Sequence, residues 1–86
     1  MARTLTIQRS IVPMNDRAKF LHSLRAKRSY YASANCRFWV FEEADLAGAF
    51  MEFVEANDAQ TLEQAQRKAP HQIMDAMRIY REVELD

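Results

Sequence analysis

The sequence predicts an α+β fold of element order β-α-β-β-α-β, an antiparallel four-stranded sheet with its two main helices on one face. Three observations predict it. Residues alternate with period two near both ends of the chain, and two stretches of helical spacing lie between them. At the centre, Cys36-Arg37-Phe38-Trp39-Val40-Phe41 and Ala49-Phe50-Met51-Glu52-Phe53-Val54 flank a turn holding the only glycine, Gly48, and read as the two strands of a hairpin.

Taken in order, Leu5, Ile7 and Ile11 alternate with Thr6, Gln8 and Ser10, giving a first strand over 4–12 that Pro13 ends. Asn15 or Asp16 can cap a helix running to about Ala32, whose apolar stripe is Phe20, Leu21, Leu24 and Tyr31. Its other face carries Arg17, Lys19, Arg25, Lys27 and Arg28, which are expected to be solvated. Ser33-Ala34-Asn35 turns the chain into a second strand, 36–42, and Glu43 to Ala47 link it to a third, 48–55. Asn57 followed by Gln60 fits a capping-box-like start for a second helix with a narrow inner face of Leu62, Ala65 and Ala69. Pro70 marks a break, 70–77 suits a short extra helical turn on Ile73, Met74 and Met77, and Ile79 to Leu85 alternate again as the last strand. This order is the ferredoxin-like plait, expected as one domain over residues 1–86.

With 86 residues, 49% of them apolar and 28% charged, the chain suits a small globular domain. A monomer of that size hides only roughly 60–65% of the surface its unfolded chain exposes, so its core needs a supplement. Cys36 is the only cysteine, which excludes an internal disulfide, and Cys36, His22 and His71 are too scattered for a metal cluster. Self-association remains. No long apolar run signals export or membrane insertion, so a cytoplasmic protein without a membrane partner is expected.

The formal charge is zero but unevenly placed. Residues 1–41 hold eight Lys/Arg against one Asp/Glu, and residues 42–86 hold four against eleven. Charge complementarity within one domain is the plain reading, and binding of nucleic acid or an anionic surface by the basic half is the sharper one. An RNA-recognition plait would stack bases on exposed aromatics. The first strand has none and the third lacks the module's motif, so no nucleic-acid partner is expected.

A half-solvated sheet alternates, yet residues 38–41 are apolar without interruption. Both faces of the hairpin therefore need cover, and the helices supply only one side. The open face is expected to meet the same face of a second copy in a homodimer. Aligning Phe41 with Phe50, Trp39 with Glu52 and Arg37 with Val54 puts these six on one face and Cys36, Phe38, Val40, Met51 and Phe53 on the helix side. A shift of one residue in the turn would exchange the faces of the third strand.

The strand ending Ile11-Val12-Pro13, the helix after it, the apolar run from Arg37 to Phe41 and the Phe50-Met51-Glu52-Phe53 strand before the second helix together resemble the dimeric α+β barrel superfamily. Within it, the chain resembles the small antibiotic-biosynthesis-monooxygenase-like proteins. The resemblance implies a homodimer that binds a small aromatic or otherwise apolar metabolite, with cofactor-independent monooxygenase-like chemistry. Such sites use a Trp, an Asn, a His and sometimes a Tyr or Arg around a cavity. No motif aligns any one residue of this chain with them, and no catalytic residue is designated. No haem- or flavin-binding motif is recognisable, and no cofactor is expected. The alternative function is a non-catalytic dimerisation or ligand-sensing module.

The candidate ligand-binding residues are Arg37, Trp39, Glu52, Tyr30, Tyr80 and His71. Arg37 and Trp39, two apart on a strand, share a face suited to a cation–π pair or an anion clamp, or equally to packing. Glu52 could pair with Arg37 across an interface. Tyr30 could cover a pocket mouth while Tyr31 continues the apolar stripe, and His71 follows Pro70 in a loop. His22 reads as a surface residue, and Cys36 as a small buried hydrophobe.

Overall fold

The computed structural model describes residues 3–69 and 78–85. β1 (Thr4–Ile11) leads through Pro13 and a 3₁₀ turn at Met14–Asp16 into α1 (Arg17–Ser33); β2 (Arg37–Glu42), β3 (Ala49–Ala56), α2 (Ala59–Arg67) and β4 (Tyr80–Arg81) follow. The sheet has the order β2-β3-β1-β4, with every neighbouring pair antiparallel. This is the expected plait. The stretch 70–77, with the helical turn expected there, lies outside the described residues.

Local chemistry explains the element ends. α1 closes in a Schellman motif: Asn35 takes the left-handed conformation at φ 63°, the Cys36 N–H donates to the Tyr31 carbonyl at 2.9 Å, and the Asn35 N–H to the Ala32 carbonyl. α2 is capped one residue later than expected. The Asp58 carboxylate accepts from the Thr61 N–H at 2.7 Å, while Asn57 is drawn away to accept from Arg37. β4 pairs over only two residues, against the expected run from Ile79 to Leu85, because its antiparallel partner β1 begins at Thr4 and residues 83–85 pass beyond that end.

The hairpin register differs by one residue from the expected alignment. Phe41 faces Met51, Trp39 faces Phe53, and Arg37 faces Glu55. The link is an odd, five-residue turn over 44–48, closed by the Glu43 N–H on the Ala49 carbonyl and by Gly48 at φ 92°. The faces of β2 stand as expected, whereas those of β3 are exchanged. Phe50, Glu52 and Val54 lie beneath the helices, and Met51 and Phe53 join Trp39 and Phe41 on the open face.

The core sits between the sheet and the helices, where Tyr31, Cys36, Val54, Ala56, Leu62 and Ala65 form one buried cluster. Leu62, Ala65 and Ala69 are buried as the expected inner face of the second helical segment. The open face carries Ile7, Ile11, Trp39, Phe41 and Tyr80, all substantially exposed, beside Met51 and Phe53. Among the described residues, no helix is long and apolar enough to cross a membrane.

Candidate functional site

Two of the basic residues expected to be solvated on α1 turn inward. Lys27 donates to the Glu52 carboxylate at 2.9 Å, and Arg17 grips Glu42 with two bonds of 2.6 and 2.8 Å. The pattern is general: each ion pair between described residues joins the basic first half to the acidic second half. The uneven charge therefore serves internal complementarity. Glu42 also accepts from the Gly48 N–H, and together Arg17 and that backbone bond hold its carboxyl down at about 2.

Arg25 and Arg28, in contrast, have no ion-pair partner among the described residues. They rim a groove of about 330 Å³ between α1 and the edge strand β2, whose walls are Leu21 and Leu24 of the helix and Phe38, Trp39 and Val40 of the strand. The spacing that makes this rim is helical: residues 21, 24, 25 and 28 fall on one side of α1. The volume lies at the lower end of the range for small-molecule pockets. An aromatic and aliphatic wall under two guanidinium groups suits a flat apolar body bearing a negative charge.

Behind Phe38, beneath α1, lies a second and much smaller cavity of about 10 Å³ bordered by Thr6, Gln8, Lys27, Tyr31, Phe38 and Glu52. Glu52 is only 4% exposed; its Oε1 takes the Lys27 bond, and its Oε2 is buried with no hydrogen-bond partner among the described residues. Tyr31 stacks on Phe38, with ring centroids 5.8 Å apart. Burial, aided by the neighbouring Tyr30, Cys36 and Glu52, pushes the Tyr31 phenol up to about 12, so it stays a neutral hydroxyl. Burial also raises the Cys36 thiol, leaving it a packed hydrophobe rather than a nucleophile.

The sequence-predicted candidates are thus divided. Arg37, Trp39 and Tyr80 share the open face, in adjoining rows of the sheet. Arg37 is engaged, donating to the buried Glu55 at 2.8 Å and to Asn57 at 3.0 Å, while Arg3 reaches the other oxygen of Glu55 and also grips Glu82. Its acidic neighbour is therefore Glu55, not Glu52, which the register places on the opposite face. Trp39 borders the α1–β2 groove at the sheet edge. Tyr30 donates to the Ala65 carbonyl at 2.6 Å and closes a separate groove between the helices. His71 lies outside the described residues. Sequence reasoning missed Lys27, Arg25 and Arg28. The only signal for Lys27 was its place four residues before Tyr31, on the flank of the apolar stripe.

A structure from Nitrosomonas europaea, described as a candidate antibiotic biosynthesis monooxygenase, superposes with a TM-score of 0.74 at 13% identity, covering 96% of this chain and 90% of the other. The chain has the ferredoxin-like fold of the antibiotic-biosynthesis-monooxygenase-like structures. SnoaB, a cofactor-independent oxygenase from Streptomyces nogalater, superposes with a TM-score of 0.70 at 15% identity over 98% of this chain and 94% of the other. A Mycobacterium tuberculosis protein does so with 0.69 at 19% identity over 98% and 96%. No protein-family model matches the chain, and no curated protein matches it.

Proposed function

We propose that the protein is a homodimer closed through its open sheet face, and that it binds a small aromatic metabolite in the α1–β2 groove for monooxygenase-like chemistry without a cofactor. The observation that carries this reading is the groove itself: a ligand-sized space with an aromatic wall and two guanidinium groups that have no ion-pair partner among the described residues, in a fold that a cofactor-independent oxygenase shares. Oxygenation without a cofactor must take its electrons from the substrate, so an electron-rich phenol is the substrate class. The open face supports the dimer, since five large hydrophobic side chains on one sheet surface suit a partner better than water.

Sedimentation velocity at micromolar concentration and oxygen uptake with a panel of mono- and polycyclic phenols test the two halves separately. A dimer that consumes oxygen only with phenols, and less after Arg25→Ala/Arg28→Ala, is the expected result. A dimer that binds phenols without consuming oxygen would favour a non-catalytic ligand sensor. A monomer would remove the dimer from the proposal.

A further inference from the structure

We propose that the Oε2 atom of Glu52 is the recognition point for a hydroxyl on the ligand of the α1–β2 groove. The site then takes small aromatic anions with a hydroxyl at the end remote from the charge. This rests on the groove being a ligand site, and adds to it a substrate class. Glu52 is nine-tenths buried, yet one carboxylate oxygen has no donor among the described residues, although a buried acceptor of this kind is costly to leave unmade. Lys27 already occupies the other oxygen, so Oε2 is the atom left to accept a hydrogen bond.

The layout of the two spaces fits one molecule. The inner cavity, about 10 Å³, has room for a single oxygen-sized group and is edged by Glu52, Lys27, Gln8 and Tyr31. The outer groove has room for a ring, and Phe38 walls both spaces. Val40, on the groove wall, is the direct cross-strand neighbour of Glu52. A ring lying on Val40 therefore sits over the strand next to the one that carries Glu52, about 5 Å away backbone to backbone. Once the Phe38 ring turns aside, a hydroxyl on that edge donates to Oε2 while a charged group at the opposite edge stays under Arg25 and Arg28.

Calorimetric titration with benzoate and with 4-hydroxybenzoate separates the parts, with Trp39, the only tryptophan, as a fluorescent reporter in the groove wall. Wild-type protein should bind 4-hydroxybenzoate at least about tenfold more tightly than benzoate, the scale of a hydrogen bond to a charged group. In Glu52→Gln the ratio should shrink, and in Lys27→Met/Glu52→Leu, where both partners become apolar together, it should fall to about one. Because the ratio is taken within each variant, a general loss of stability does not mimic the effect. A wild-type ratio near one, or an unchanged ratio in the double variant, overturns the assignment of Glu52. If benzoate then still binds, and weakens in Arg25→Ala/Arg28→Ala, the groove reading stands without it. If neither probe binds at millimolar concentration, both fall.

Discussion

Lys27, largely buried, and Glu52, 4% exposed, pair beneath α1. Removing one partner of such a buried pair leaves the other charge stranded, at a cost of about 3–5 kcal/mol, whereas replacing both with apolar residues is often neutral. Lys27→Met should therefore lower the denaturant midpoint severely, and Lys27→Met/Glu52→Leu should recover most of the loss. Glu42 sets the response to acid. Its carboxyl titrates near 4.5 in the unfolded chain and at about 2 in the fold, so the folded state binds fewer protons between those values. Its contribution is complete above about pH 5 and is lost as pH falls toward 2. Asp58 and Glu82, held low by the Thr61 N–H and by Arg3 respectively, act in the same direction. Melting temperatures of wild type and Glu42→Gln should differ at pH 7 and converge near pH 2.

At the scale of elements, two backbone positions with positive φ hold the hairpin and its approach. At Gly48 a Cβ would stand 2.4 Å from the Val12 carbonyl oxygen, and the glycine N–H and C=O bond Glu42 and the Val12 N–H respectively. Gly48→Ala should cost at least about 2 kcal/mol in chemical denaturation. Asn35, at the end of α1, should behave oppositely: Asn35→Gly should match or exceed wild-type stability by up to about 1 kcal/mol, and Asn35→Ala should fall below it by a similar amount. The elements were legible in the sequence because period and punctuation are local, as in the Pro13 stop and the Leu62–Ala65–Ala69 stripe. The face of Glu52 was not. It depends on the parity of a turn whose closure combines Gly48, Glu42 and the distant Val12, and strand composition tolerated either register. The inward turn of Lys27 followed from the same hidden fact, since its partner was assigned to the other side of the sheet.

For the whole molecule, the open face governs assembly in the proposed dimer. Phe41 is 60% exposed there and packs edge-on against Phe53, with ring centroids 5.7 Å apart. Phe41→Lys should shift sedimentation from dimer to monomer while leaving the far-ultraviolet spectrum of the fold intact. Ferredoxin-like architecture was readable from element order alone, whereas the groove under Arg25 and Arg28 was not, because a rim is made by what the helix leaves unpaired.

The strand order has one more consequence, which concerns synthesis rather than structure. β1 and β2 are never neighbours: β3 lies between them, and the other edge of β1 is taken by β4. The ion pairs also span the two halves, so residues 1–41, with eight basic against one acidic residue, carry a net charge of +7 with nothing to answer it. As the chain leaves the ribosome, its first half can form a helix but no sheet and no neutral core. Folding therefore waits for the third strand, which supplies the neighbour that both β1 and β2 lack.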